Sequence, residues 1–231
     1  MTLDIKICGL RTTDAITAAT GRGATHVGFI HFEKSPRHLT IAEMAALRPA
    51  VSGADLVVVL VDPDDATVEA IARAVRPDML QLHGRETPER VAKVRALTGL
   101  PVMKALSIGT AEDLARVASY RGVADRLLLD AKRPKGSELP GGNGVSFDWR
   151  LLAALDADVT YMLSGGLDAL NVLEAVGDIR PAGIDVSSGV ETSPGVKDIG
   201  LIHGFFDALE DVRPSVSGQN AVVSWPERSA S

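Results

Sequence analysis

Cysteine is nearly missing from this chain of 231 residues: Cys8 is the only one, so no internal disulfide can form. A reducing compartment suits such a chain, and a cytoplasmic location is expected. Aromatic residues are scarce, at 4%. Basic charge is not in surplus either, because 30 acidic residues outnumber 24 basic ones and leave a formal net charge of -6. That balance argues against a protein that neutralises a nucleic-acid backbone, whose footprint is basic. Long uncharged apolar runs are missing too. The N-terminal stretch carries Asp4 and Lys6, unlike a secretory signal, and no segment approaches membrane-spanning length. Neither nucleic acid nor membrane is expected as a partner.

Several motifs are also missing. No GxGxxG follows the first apolar run, which removes a dinucleotide-binding sheet, and no Walker loop or GxSxG elbow occurs. Metal-ligand spacings such as HExxH and CxxC are not found, and the five histidines form no i, i+4 pair on a helix. Neither metal nor cofactor is expected.

What the chain does contain is alternation. Short β-rich runs at Leu3 to Cys8, His26 to Ile30, Leu56 to Val61, Met79 to Leu82, Val102 to Leu106, Arg126 to Asp130, Thr160 to Ser164 and Gly183 to Val186 make eight strand candidates. Between them lie segments of helical period: Thr13 to Thr20, Ile41 to Leu47, Asp64 to Val75, Pro88 to Leu97, Ala111 to Tyr120, Asp148 to Leu155, Leu170 to Val176 and Asp198 to Leu209. Some begin with clear signals, such as Thr40 with Glu43 three residues on, or Thr87 followed by Pro88. This repetition predicts an α/β fold of one (β/α)₈ TIM barrel over residues 1–212. A doubly wound open sheet is the alternative, because periodicity does not report closure. Residues 213–231 lose periodicity and gain Ser and Pro, the pattern of a disordered or surface-draped tail.

In a barrel, chemistry gathers at the C-terminal ends of the strands, where this chain places Cys8, Arg37, Gln81, His83, Lys104, Asp130, Ser164 to Gly166 and Asp185 to Gly189. Cys8 is either a small buried hydrophobe or a thiolate base, and the second role requires a lowered pKa. Lys6 lies on the same strand face and could lower it, with Asp185 on the eighth strand as the partner of the lysine. Asp130 closes the apolar run "LLLD". It is either a cap for the next loop or an acid whose partial burial disfavours the charged form. The loops "SGGL" and "DVSSGVE" offer Gly165, Gly166, Ser187, Ser188 and Gly189, small residues whose amides suit a phosphate after strands seven and eight. Arg37 in "KSPRH" is by default a solvated arginine, although its fork suits a carboxylate. His83 in "QLHG" is read as scaffold or substrate contact.

Taken together, "KICGL", "GFI" with "SPR", "QLHG", "LLLDA" with "GGNG" and "FDW", "SGGL", and "DVSSGVE" with "PGVKD" closely resemble the phosphoribosylanthranilate isomerase family of tryptophan biosynthesis. The resemblance runs from Lys6 to about Phe206. It implies a barrel that performs an Amadori rearrangement of N-(5-phosphoribosyl)anthranilate to 1-(2-carboxyphenylamino)-1-deoxyribulose 5-phosphate, without metal or cofactor. It also implies Cys8 as general base and Asp130 as general acid. Arg37 falls on the anthranilate carboxylate, with Gln81, His83 and Asp185 as further substrate-binding residues, and the two small-residue loops on the phosphate. The partner is then a small-molecule substrate, and the protein a monomer or homodimer. Departures from the family pattern are "GGNG" where "GGTG" is expected, "VVVLV" in strand three, "IHFEK" after strand two, and Ser164 in place of alanine. A related isomerase of histidine biosynthesis is the nearest competing enzyme, but it is expected to have aspartate where Cys8 stands. An aldolase acting through Lys104 lacks a partner set for a Schiff base. A non-catalytic sugar-phosphate binder would keep the anion loops and lose the acid and base.

Overall fold

A computed structural model describes residues 3–131 and 148–210. The glycine-rich loop at 132–147, including "GGNG", and the expected tail at 213–231 lie outside these residues. Eight parallel strands close on one another in chain order: β1 Asp4–Cys8, β2 His26–His31, β3 Asp55–Leu60, β4 Met79–Leu82, β5 Val102–Ile108, β6 Arg126–Ala131, β7 Met162–Leu163 and β8 Gly183–Val186. Closure is made by β1 against β8, where Lys6 stands opposite Asp185. This pairing excludes the open doubly wound sheet.

Side-chain alternation separates two apolar regions. Val57, Met79, Met103, Ala105, Leu128 and Met162 fill the interior of the cylinder. Their strand neighbours, such as Ile5, Ile7, Val58, Leu80, Leu127, Leu129 and Ile184, turn outward into a larger core beneath the helices. Both faces of each strand are therefore buried, as parallel sheets require. The interior plug sits low, so polar residues one layer higher on the same inward face line the upper mouth.

The helices on the outside are α1 Thr13–Gly21, α2 Ile41–Leu47, α3 Asp65–Ala74, α4 Pro88–Thr98, α5 Ala111–Leu114, α6 Val172–Ile179 and α7 Ile199–Asp207. Their starts follow the expected capping chemistry. Thr40 accepts from the Glu43 amide while the Glu43 carboxylate takes the Thr40 amide at 2.7 Å, closing a capping box, and Thr87 caps α4 directly ahead of Pro88.

Departures concentrate in the second half. The segment expected as one helix from Ala111 to Tyr120 is a single α turn followed by a 3₁₀ turn at Val117–Tyr120, and the helix expected from Asp148 is 3₁₀ over Trp149–Ala154. Strand seven is two residues long rather than five. After β8 the chain adds an antiparallel hairpin, β9 Glu191–Ser193 with β10 Val196–Lys197, which periodicity did not signal. Among the described residues no helix is long and apolar enough to cross a membrane.

Candidate active site

Strand parity decides which polar residues enter the mouth. On β1, Ile5 and Ile7 face the outer core, so Lys6 and Cys8 face inward. On β6, Leu128 belongs to the interior plug, so Asp130 is its inward neighbour one layer up. Both chemical candidates are buried, Cys8 at 5% exposure and Asp130 at 3%. They stand on non-adjacent strands of one closed cylinder, at the same end of it.

Beneath Cys8 lies an ionic pair. The fully buried Lys6 ammonium donates to Asp185 Oδ1 at 2.7 Å, and Ser164 Oγ donates to Asp185 Oδ2 at 3.1 Å. Burial by itself would lower the lysine pKa, but Asp185 and Cys8 outweigh it and the net direction is upward, so Lys6 stays charged. This is the pairing that alternation predicts. Its effect on the thiol differs from the expectation. Burial pushes Cys8 above the ordinary thiol range, while Lys6 and Lys197 pull it back and Asp185 opposes them. The physical reason is that Lys6 shares its charge with a carboxylate, so the desolvation of the thiol is only partly offset.

On the opposite side of the mouth, Asp130 Oδ2 accepts from His83 Nε2 at 3.1 Å, and His83 Nδ1 accepts from the Gln81 side-chain amide at 3.0 Å. Gln81 and His83, two residues apart at the end of β4, share the inward face. His83, read from sequence as scaffold or substrate contact, is thus bonded directly to the candidate acid.

The two small-residue loops meet. Gly165 and Gly166 have φ of 97° and 66°, which favours glycine, and a Cβ on Gly165 would stand 2.5 Å from the Ala131 amide nitrogen. A Cβ on Gly189 would lie 2.0 Å from Leu167 O, so the loop after β8 packs on the loop after β7 at a distance that only glycine permits. Ser187 Oγ donates to Cys8 O at 3.1 Å and ties the same loop to the end of β1. Gly165, Gly166, Ser187, Ser188 and Gly189 therefore form one continuous rim beside Cys8.

Arg37 is not the solvated arginine that its loop position suggests. It is buried, and its Nε and Nη2 donate to the two Glu191 oxygens at 2.7 Å each. Glu191 also receives Lys197 Nζ at 2.7 Å, and Lys197 donates onward to Ser187 O at 2.7 Å. Burial lowers the Lys197 pKa and Glu191 opposes the shift. Burial raises the Glu191 carboxyl, but Arg37 and Lys197 outweigh it and bring the net below the ordinary range. This Arg37–Glu191–Lys197 chain links the loop after β2 to the rim after β8. Sequence reasoning assigned nothing to Glu191 or Lys197. Their signal was available in "DVSSGVE" and "PGVKD", two charged residues in a glycine-rich stretch that a hairpin brings face to face.

Lys104 does not belong to the mouth. Met103 and Ala105 face the interior, so Lys104 points outward, where it donates to Leu82 O, Gly84 O and Glu86 Oε2 beneath the turn after β4. An amine spent on three acceptors outside the cylinder cannot meet a substrate carbonyl, which removes the aldolase alternative. Among the described residues no group of three or more His, Cys, Asp or Glu side chains could hold a metal ion.

With this geometry in place, comparison with known proteins is decisive. The family described as N-(5'phosphoribosyl)anthranilate (PRA) isomerase matches residues 5–208. The chain belongs to the phosphoribosylanthranilate isomerase family. An N-(5'-phosphoribosyl)anthranilate isomerase of Brucella canis is 61% identical over 212 residues, covering 91% of this chain and 96% of the relative. Among solved structures, phosphoribosyl anthranilate isomerase from Thermotoga maritima superposes with a TM-score of 0.82 at 31% identity, over 90% of this chain and 99% of that one. A family structure in complex with reduced 1-(o-carboxyphenylamino)-1-deoxyribulose 5-phosphate has a TM-score of 0.78 at 29% identity, over 90% and 99% of the two chains. The fold of this chain therefore matches that of solved family members over 90% of its length.

Proposed function

We propose that the chain isomerises N-(5'-phosphoribosyl)anthranilate to 1-(2-carboxyphenylamino)-1-deoxyribulose 5-phosphate, with Cys8 as general base and Asp130 as general acid. The observation that carries this reading is the placement of a buried thiol and a buried carboxyl on the inward faces of β1 and β6, at the end of the barrel where the glycine rim lies. Asp130 gives its proton to the ribose ring oxygen as the bond from that oxygen to C1 breaks and the nitrogen lone pair forms the C1 iminium. The Cys8 thiolate then takes the C2 proton. The electrons of that bond form C1=C2, and those of the iminium return to nitrogen, leaving an enolamine. Transfer of one proton from the C2 hydroxyl and one to C1 completes the ketone.

Burial raises the Cys8 pKa in the free protein, and the iminium adjoining C2 supplies a positive charge next to the sulfur at the step where a thiolate is needed. Glu191 fixes the plane of the Arg37 guanidinium, which offers its charge to the anthranilate carboxylate. The amides of Gly165, Gly166 and Ser187 to Gly189 take the phosphate, so an acidic protein holds a dianion through local dipoles. Gln81, His83 and Asp185 complete the substrate-facing wall.

Anthranilate adducts fluoresce, so substrate consumption follows turnover directly. Cys8→Ser and Asp130→Asn should each lower kcat by about 10²- to 10⁴-fold, with little change in binding, because a proton-transfer group acts in the transition state. Arg37→Ala should chiefly raise KM. A Cys8→Ser protein with undiminished kcat would overturn the assignment of the base.

A further inference from the structure

One turnover leaves the site out of balance. At the enolamine stage Asp130 has lost its proton to the sugar oxygen and Cys8 has gained one from carbon. If the enolamine becomes ketone in solution, Cys8 must release a proton to water and Asp130 must recover one before the next cycle. Asp130 is buried, at 3% exposure. Its carboxyl meets His83 Nε2, whose side chain is more accessible, at 11% against 4% for the Asp130 side chain. His83 reaches Asp130 across β5, which presents only Ala105 and Ser107 on the inward face there.

Gln81 completes the line. Its side chain is fully buried; its amide nitrogen donates to His83 Nδ1, while its Oε1 has no hydrogen-bond partner among the described residues. A buried carbonyl oxygen without a partner costs stability, so it calls for an explanation. We propose that His83 and Gln81 form a relay that returns a proton to Asp130 after each turnover, with the Gln81 amide turning over to serve both tautomers of the imidazole.

Two arrangements pair both imidazole nitrogens of His83 in turn. When Asp130 is ionised, His83 carries its proton on Nε2 and donates it to Asp130 Oδ2, while bare Nδ1 accepts from the Gln81 NH₂. The contacts of 3.0 Å from Gln81 Nε2 to His83 Nδ1 and 3.1 Å from His83 Nε2 to Asp130 Oδ2 have the spacing that this arrangement needs. When Asp130 is protonated, its hydroxyl donates to bare Nε2, Nδ1 carries the hydrogen, and a Gln81 amide rotated by half a turn accepts that hydrogen on Oε1. Passage from the first to the second moves the Nε2 proton to Asp130, breaking N–H and forming O–H, while a solvent proton arrives at Nδ1. That proton equals the one Cys8 releases, so the cycle is neutral overall. A side-chain amide is a neutral group that can donate in one arrangement and accept in the other within the same volume.

The inference rests on Asp130 as the acid. The experiment measures kcat and KM of His83→Ala with increasing imidazole in the assay, using His83→Gln in its place if the alanine protein does not fold. The expected result is a fall in kcat of about 10²-fold with KM little changed, and recovery of kcat as imidazole concentration rises. A purely structural role would not give recovery that depends on a free proton carrier. Gln81→Met, which fills the same space without the amide, should lower kcat in the same direction. Undiminished kcat in the His83 variant, or a loss that imidazole does not reverse, overturns the relay, and undiminished kcat in Gln81→Met removes the amide from it. Asp130→Asn, run alongside, separates the two readings. If it turns over normally the acid assignment fails, whereas an inactive Asp130→Asn beside an unimpaired His83 variant sinks the relay alone.

Discussion

A hydrogen atom opposite Cys8 decides where the sulfur can sit. Gly28 on β2 pairs in register with Cys8, and a Cβ at that position would stand 2.9 Å from Cys8 Sγ, 3.1 Å from Cys8 Cα and 3.3 Å from Lys6 Cε. The glycine is in an ordinary strand conformation, so the requirement is space around the thiol rather than backbone freedom. Gly28→Ala should therefore displace the thiol and the lysine below it. Overpacking of this kind costs about 1–3 kcal/mol of stability. Misplacing a reacting atom is the larger effect on rate, and kcat should fall roughly tenfold or more in protein that is still folded at assay temperature. Comparing kcat with the urea midpoint separates the two, and undiminished kcat would show that the sulfur tolerates the shift. At this scale much of the site was legible beforehand. The alternation of Lys6 and Cys8, and the end of "LLLD" at Asp130, follow from a period of two residues. Arg37, Glu191 and Lys197 were not legible as a chain, because their meeting depends on a hairpin whose residues carry no strand period.

Among the elements, the turn between β4 and α4 is held from below. Lys104 and Glu86 are both buried and 2.8 Å apart, Glu86 also accepts from the Asp62 and Gly84 amides, and Tyr120 donates to Glu86 O at 2.8 Å. Burial lowers the Lys104 pKa and Glu86 works against that shift. The arrangement supports the residues that follow His83, and the relay depends on where His83 stands. Removing one member of a buried pair leaves the other uncompensated, typically at about 3–5 kcal/mol. Lys104→Met should destabilise the protein by that order, read as a lower urea midpoint at unchanged slope. A midpoint equal to that of the parent would mean the turn is held by its backbone amides alone. This element illustrates why helix and strand boundaries in the second half departed from the reading of the sequence. Local period finds an amphipathic stretch but does not choose between α and 3₁₀ winding, which Ala111 to Tyr120 and Trp149 to Ala154 settle by packing. The capping signals at Thr40 and Thr87 were reliable because their hydrogen bonds close within four residues.

For the molecule as a whole, closure of the barrel converts a repeated local pattern into one buried interior, and the buried ionisable groups make its stability depend on pH in opposed ways. Cys8 has a raised pKa in the folded chain, so above about 8.5 the unfolded thiol ionises while the folded one retains its proton. The folded state then binds more protons, and stability falls as pH rises through the unfolded thiol value towards the folded one. Lys104 and Lys197 act the other way, because burial depresses both below the ordinary lysine range. Their folded forms bind fewer protons than the unfolded chain below about 10.4, so their contribution grows with rising pH. A single stability curve sums these effects and assigns none of them. The difference between the parent and Cys8→Ser isolates the thiol, since serine fills nearly the same space and does not titrate in this range. Urea unfolding at about pH 7.5 and about pH 9.5 should show the parent losing stability relative to Cys8→Ser across that interval. Equal changes in the two proteins would mean that Lys6 and Lys197 hold the thiol at its ordinary value. The base proposed for C2 would then be available as thiolate without the help of the iminium that ring opening creates.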